Sequence, residues 1–302
     1  IVNDGDISAT AIAQANGSAA AYGLWAIGGD SARIENDGDI TVSASSEYGY
    51  ATAVGIKATS DGDAIVENTG SISVTAVVSY GDYNGYATTA SAIGIDASGY
   101  SVSIYNTGDI EALATNDLYF GAAVAIGINA EAYADITISN SGDITLSGSS
   151  GDGYTRIGYY PYIFVTGDFN GTGINAESTI GSISVENSGA ITITSLNESG
   201  VAGGYQTGDK LKGISAKTVL GDATINNSGD ITLTGGETSY GLTARTDSLT
   251  VFYACPPPFD NGYYSCYNIY GGGDATVVNS GDITISVGFE QDLAFGFGYG
   301  IV

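Results

Sequence analysis

The sequence contains no histidine and only seven basic residues against 33 acidic ones, so its formal net charge is −26 over 302 residues. Nucleic acid and anionic membranes are therefore unfavourable partners, because like charges repel. The chain also contains no methionine and begins at Ile1, from which we expect a processed or partial product. No apolar run reaches the roughly 18 residues of a membrane helix, and no signal-peptide pattern opens the chain. We expect no membrane insertion.

The chain has only two cysteines, Cys255 and Cys266, which flank the stretch PPPFDNGYYS. Two cysteines so close on a Pro/Gly-rich loop favour a local disulfide over a zinc site, which needs about four ligands. Such a disulfide would indicate an oxidising, extracellular compartment. Two unrelated free thiols are the alternative.

Candidate catalytic groups are also scarce. The basic residues are scattered, apart from a small cluster between Lys210 and Lys217, and the carboxylates follow a repeat. A catalytic site is a local exception to a repeating pattern, and we find no such exception. The sequence therefore predicts a protein that is not an enzyme and has no catalytic residues or organic cofactor.

The most informative feature that is present is an internal repeat, Asn-x-Gly-x-Ile. It occurs eight times along the chain, and its asparagines are Asn3, Asn36, Asn68, Asn106, Asn140, Asn187, Asn227 and Asn279. A second motif, Gly-Ile or Gly-Leu, occurs once per copy, from Gly23 to Gly300. The pattern covers the whole chain and predicts a single domain over residues 1–302.

The spacing between the two motifs is uneven. Six of the seven distances from the second motif to the next asparagine are 12 to 14 residues, whereas the distance from an asparagine to the next second motif varies from 14 to 33. A rigid coil with loops at one corner produces such a pattern. The seventh repeat breaks the rule with 38 residues, which predicts an insertion over residues 243–274, stapled by the cysteines.

Within a repeat the apolar residues alternate, which is typical of strands with one buried face. The position four after each asparagine is isoleucine in every copy. The turn Asn-Ser-Gly-Asp is expected to need glycine for a positive φ, and the second motif is expected to form a short strand. One repeat cannot bury its own apolar face, but stacked repeats can. The sequence thus predicts an all-β fold, a parallel β-solenoid of about eight coils, with the asparagines hydrogen-bonded in a ladder.

The run of Asn-Ser-Gly-Asp-Ile-Thr and Gly-Ile-x-Ala units resembles the passenger regions of bacterial autotransporters and related surface adhesins of the haemagglutinin-repeat kind. The resemblance extends over essentially all 302 residues. It implies a secreted, cell-surface, right-handed parallel β-helix that serves in adhesion, aggregation or matrix building.

Acidic residues recur three positions after the asparagine, and the first two copies carry Asp-Gly-Asp. Stacked carboxylates about 5 Å apart repel one another unless they are solvated or bridged by a cation. Calcium is the natural bridge, and its predicted ligands are Asp4, Asp6, Asp37 and Asp39. The alternative is that these residues only cap the turn.

Two further surfaces could bind a ligand. Serine and threonine recur five and seven positions after the asparagine, as in flat ice-binding faces, although any solvent-facing strand uses these residues. Tyrosine occurs 22 times, and its aromatic face with a polar tip suits interfaces or glycan recognition. The tyrosines predicted to contact a ligand or a subunit are Tyr159, Tyr160, Tyr162, Tyr263, Tyr264 and Tyr267.

Neither end of the sequence shows the capping segment that closes most solenoids. The sequence is therefore either a slice of a longer passenger or a subunit that polymerises head to tail by strand addition. We predict an extracellular structural protein that forms a filament or matrix by self-association. A glycan-binding surface adhesin is the first alternative, and an ice-binding protein is the second.

Overall fold

The computed structural model describes residues 1–14, 17–79, 88–117, 121–155, 163–166, 168–196, 208–235, 238–247, 249–252, 268–271, 273–286 and 297–301. These residues form three parallel sheets of eight strands each, and every coil contributes one strand to each sheet. The described residues contain no helix. The prediction of an all-β parallel solenoid of eight coils is confirmed.

We name the three sheets after a residue that recurs in each. The strands of the asparagine sheet, which end at the repeated asparagines, are Val2–Asn3, Ser31–Asn36, Asp63–Asn68, Ser101–Asn106, Ile136–Asn140, Ile183–Asn187, Ala223–Asn227 and Ala275–Asn279. The strands of the threonine sheet are Ile7–Ala13, Ile40–Ser46, Ile72–Val78, Ile110–Asn116, Ile144–Ser150, Ile191–Ser195, Ile231–Thr234 and Ile283–Ser286. The strands of the glycine sheet are Ala19–Gly28, Ala51–Ser60, Thr89–Gly99, Ala122–Ala132, Phe169–Ser178, Lys210–Thr218, Thr238–Thr246 and Phe297–Ile301.

Equivalent residues of successive coils are paired in register. Ile110, for example, pairs with Ile72 on one side and with Ile144 on the other. Each of these isoleucines is at most 1% exposed, and burial of such a side chain stabilises the fold by about 1.5–3 kcal/mol. The core is one continuous set of inward columns of isoleucine, valine and alanine.

The turn glycines have a different role from the one expected. Among the described residues only Gly221 and Gly235 have a positive φ, so the turn glycines do not need left-handed backbone. Instead, the coils stack too closely at this corner for a side chain. A Cβ added at Gly142 would lie 2.0 Å from the carbonyl oxygen of Gly108.

The strand with the second motif is longer than predicted. Its first seven copies have 9 to 11 residues. In Ala51–Ser60 the glycine sits mid-strand, and Gly55 and Ile56 are both buried although they are consecutive. The strand therefore bends around the core at Gly55. A Cβ there would lie 2.4 Å from Cγ2 of Ile72, which explains why glycine occupies the bend.

The loops of variable length all connect the threonine sheet to the glycine sheet, so they lie at one corner, as predicted. One of them contains an antiparallel hairpin, Asp152–Thr155 with Ile163–Thr166.

The insertion of the seventh repeat leaves from another corner, between the glycine and asparagine sheets. The strand before it stays in register to Thr246, and a hairpin of Leu249–Phe252 with Asn268–Gly271 begins the excursion.

Candidate functional surfaces

The eight repeated asparagines lie one above another at the end of the asparagine sheet. Each Nδ2 donates to Oδ1 of the next asparagine at 2.7–2.8 Å, through seven consecutive bonds from Asn3 to Asn279. Each Nδ2 also donates to the glycine carbonyl two residues on, at 2.6–2.8 Å. Asparagine is suited to this buried position because its amide both donates and accepts.

The aspartates three residues after the asparagines form a second row beside the ladder. Asp39 Oδ1 accepts the main-chain N–H of Ser71 at 2.9 Å, and Asp143 Oδ1 accepts that of Ala190 at 2.8 Å. The same bond joins Asp6 to Asp39, Asp109 to Asp143 and Asp230 to Asp282. A carboxylate oxygen therefore links one coil to the next at five of the seven junctions, which gives the row a structural role.

The residues predicted to bind calcium lie at this turn in the first two coils. Asp6 and Asp39 belong to the row of linking carboxylates, and Asp37 Oδ1 accepts a bond from the Thr69 hydroxyl at 2.8 Å. Within the described part of the chain, no group of three or more histidine, cysteine or acidic side chains is close enough to hold a metal ion. Calcium binding stays a prediction, which calorimetric titration with calcium would check.

A buried carboxylate was missed from the sequence. Asp209 is 6% exposed and accepts bonds from the Phe169 N–H, at 2.8 Å, and from the Ser195 hydroxyl. It fastens the start of a glycine-sheet strand to the core of the neighbouring coil. The available signal was the tripeptide Thr-Gly-Asp, which precedes the glycine-sheet strand in two successive copies, at 166–168 and 207–209.

The outer face of the glycine sheet carries polar groups that are linked from coil to coil. Lys57 forms an ion pair with Asp96, Asn129 donates to Asp96 at 3.0 Å, and Asn175 donates to Asn129 at 3.0 Å. In the first coil Trp25 occupies the equivalent position and stacks on Tyr22 with ring centroids 4.7 Å apart. This face is thus polar along most of the rod and aromatic at one end.

A groove of about 580 Å³ runs along the edge of the glycine sheet. Two exposed tyrosines, Tyr100 and Tyr133, line it with ring centroids 5.7 Å apart. Glu131, Glu177 and Lys217 also line it. These residues could not be grouped from the sequence, because they come from four coils that only the register brings together.

The outward hydroxyls of the threonine sheet lie in two aligned rows, since their strands pair in register. Glu111 and Leu113 interrupt the rows between the third and fifth coils. Ice binding stays a prediction. Thr192→Tyr with Thr232→Tyr should abolish thermal hysteresis if these rows bind ice.

Several predicted residues lie outside the described residues. They are Cys255, Cys266, Tyr159, Tyr160, Tyr162, Tyr263, Tyr264 and Tyr267. The disulfide and the tyrosine contacts with glycans or subunits therefore stay predictions.

One charged group has a shifted pKa. The pKa of the Arg33 guanidinium is raised above its ordinary value, chiefly by the hydrogen bond to Glu35 and also by the charges of Glu67 and Glu35. Its Nη2 lies 2.8 Å from Oε1 of Glu67. The pair connects the second and third coils on the outer face of the asparagine sheet, where its net stabilisation is small because the groups are solvated.

Comparison with protein-family models, with curated proteins and with solved structures found no match to this chain. The resemblance to autotransporter passengers therefore rests on the repeat units alone. A search of the described residues for a helix long and apolar enough to cross a membrane found none.

Proposed function

We propose that this chain is an extracellular structural rod that stacks end to end on other copies and so builds a surface filament or matrix. The observation that carries the proposal is the continuity of the asparagine ladder through all eight coils. Such a stack is a template on which a further coil can be added, whether the coil belongs to the same chain or to another copy.

The two ends of the ladder are complementary. Asn3 Oδ1 accepts no bond from any described residue, although its Nδ2 donates to Asn36. At the opposite end, Asn279 Nδ2 donates to the Gly281 carbonyl, and no described asparagine follows it in the ladder. A second copy placed with its first coil on this last coil would continue the ladder, with Asn279 as donor and Asn3 as acceptor.

The outer coils also present apolar surface. Ile7 and Ile283 are only partly buried, whereas the equivalent Ile40 is 1% exposed. Stacking would bury both edges and pair their strands, which have a neighbour on only one side among the described strands of each sheet. Burial of each isoleucine would contribute up to about 1.5–3 kcal/mol toward the cost of association. Because head-to-tail contact does not close, it gives a filament.

Electron microscopy and sedimentation of the purified 302-residue chain test this proposal. We expect fibres whose length increases with protein concentration. Ile7→Lys should abolish them, because an inward charge at an edge strand prevents pairing. Thr284→Lys is the matched control, since it places the same charge outward on an edge strand, and it should still form fibres. Short single rods at every concentration of the unsubstituted chain would refute end-to-end stacking.

A further inference from the structure

The few cations of this chain are concentrated on one surface. Of its seven basic residues, four lie on the outer face of the glycine sheet in two neighbouring coils, and they are Lys210, Lys212, Lys217 and Arg245. The two preceding coils carry Glu131 and Glu177 on the same face. In a chain with 33 acidic residues, this segregation gives the face one acidic half and one basic half.

The charges form an ordered row across four adjacent strands. Glu131 pairs in register with Glu177, Glu177 with Lys217, and Lys217 with Arg245. Along the rod the row therefore reads Glu, Glu, Lys, Arg. Like charges are direct neighbours within each half, which is unfavourable in an isolated chain.

Within the chain, only the basic half of the row has an ion-pair partner. Asp247 lies 3.6 Å from Lys217 Nζ and 2.5 Å from Arg245 Nε. Because one carboxylate serves two cations, the basic half keeps a net positive charge. None of the ion pairs found among the described residues includes Glu131 or Glu177, and both side chains are exposed.

The row is complementary to itself when a second copy is related to the first by a two-fold axis. This axis lies in the plane of contact, midway between the strands of Glu177 and Lys217, and runs parallel to them. The rotation reverses the order of coils but keeps each position along the strand. Glu177 then faces Lys217 of a second copy, and Glu131 faces Arg245. By symmetry each contact occurs twice, as in any isologous interface.

The rest of the face is compatible with this arrangement. In the adjacent outward row, Asn175 would face Ser215 and Asn129 would face Thr243. No like charges meet in this row.

The available area suits a reversible dimer. The charged row lies on one side of the glycine bend, where four strands at about 4.8 Å spacing and about five residues at about 3.3 Å each give a face of roughly 300 Å² per copy. The total of roughly 600 Å² is in the range of weak, transient contacts. At that size, charge complementarity decides which faces associate.

We infer that two copies of this chain pair laterally through the outer faces of their glycine sheets, with the rod axes antiparallel and with Glu131 and Glu177 of each copy against Arg245 and Lys217 of the other. This contact is separate from end-to-end stacking and does not depend on it.

Reciprocal charge reversal tests the pairing by analytical ultracentrifugation, carried out in the background of the edge variant Ile7→Lys to keep filaments out of the measurement. Glu131→Lys with Glu177→Lys makes the row entirely positive, and Lys217→Glu with Arg245→Glu makes it entirely negative. Each double variant should weaken dimerisation by at least about 100-fold, because like charges then face each other. An equimolar mixture of the two should restore a dimer, since all four ion pairs form again.

The matched control for the positive variant is Glu111→Lys with Glu186→Lys. It changes the net charge by the same amount as Glu131→Lys with Glu177→Lys, but at exposed positions of the other two sheets. It should dimerise like its parent. Restoration in the mixture also shows that the variants are folded. A parent that is monomeric at low salt, a charge-reversed row that still dimerises, or a mixture that stays monomeric would each overturn the inference. Fibres formed by the chain with Ile7 intact would be unaffected by any of these results.

Discussion

At the scale of single residues, one asparagine per coil forms a continuous polar column at the edge of the core. Asn140 is 2% exposed, donates to Asn187 and to the Gly142 carbonyl, and accepts from Asn106, all at 2.8 Å. Serine has too few donors for these three bonds, and aspartate has none. The asparagine in the repeat therefore follows from the hydrogen-bonding requirement of a buried column.

Asn140→Ala should lower the free energy of unfolding by about 3 kcal/mol, because it leaves two buried asparagine groups and a buried carbonyl without partners. Urea denaturation followed by circular dichroism measures the change. Asn3→Ala is the control. It removes the partly exposed edge member of the same ladder, and its cost should stay below about 1 kcal/mol. Equal costs at both positions would mean that the ladder contributes nothing beyond local turn formation.

The turn glycines allow a second test. Gly142→Ala should destabilise the fold by about 1–3 kcal/mol, since its Cβ would overlap the Gly108 carbonyl of the coil below. Gly5→Ala should be neutral within about 0.5 kcal/mol, because nothing lies within 4 Å of the added Cβ. If both changes cost the same, the requirement for glycine would lie in the backbone of the turn instead of in the stacking.

Much of the residue pattern was predictable from the sequence, and the failures have a common cause. The asparagine column and the isoleucine at the fourth position follow from repetition in one chain. The reason for the turn glycine was wrong, because a local argument about φ cannot detect a carbonyl 32 to 52 residues away in the neighbouring coil. Asp209 escaped notice for the same reason, since Phe169 lies 40 positions before it.

At the scale of strands, the structure differs from the prediction chiefly at the bend in the middle of each glycine-sheet strand. The second motif was expected to be a short strand, because glycine in a strand interior usually weakens it. Here the buried Cγ2 of an isoleucine fills the space of the missing side chain, as Ile144 does at Gly127. The strand can therefore continue through the bend and cover two sides of the core.

The insertion of the seventh repeat leads to a prediction at this scale. Replacing residues 253–267 by Asn-Gly should leave the coils intact, because Leu249–Phe252 and Asn268–Gly271 already form an antiparallel pair that such a turn closes. We expect the circular dichroism spectrum to be unchanged and the melting temperature to shift by only a few degrees. Unfolding of the shortened chain would show that the insertion, with its cysteines, is needed to hold the last coils together.

At the scale of the whole molecule, the net charge opposes the assembly of copies, whereas the open ends of the rod favour it. Eight coils at about 4.8 Å give a rod on the order of 40 Å long, and it carries a net charge of −26. Repulsion between copies keeps such a rod soluble, but it also opposes assembly. The inward columns and the asparagine ladder favour stacking. Ionic strength should decide between these effects.

The two proposed contacts should therefore respond oppositely to salt. Raising the salt concentration from about 0.01 M to about 1 M shortens the Debye length from about 30 Å to about 3 Å. Fibre length should increase, since stacking buries apolar edges and suffers from net repulsion. The lateral dimer of the Ile7→Lys variant should dissociate, since it depends on ion pairs. Light scattering and sedimentation velocity measure the two effects, and a parallel response would mean that a single contact underlies both.

The amides of the asparagine ladder all point the same way. From Asn3 to Asn279 each N–H is directed toward the following coil, so the column is a row of aligned dipoles with a negative pole at the first coil and a positive pole at the last. A subunit that approached upside down would bring two carbonyl oxygens, or two N–H groups, against each other. Growth of a fibre would consequently be directional, with chemically distinct plus and minus ends that elongate at different rates.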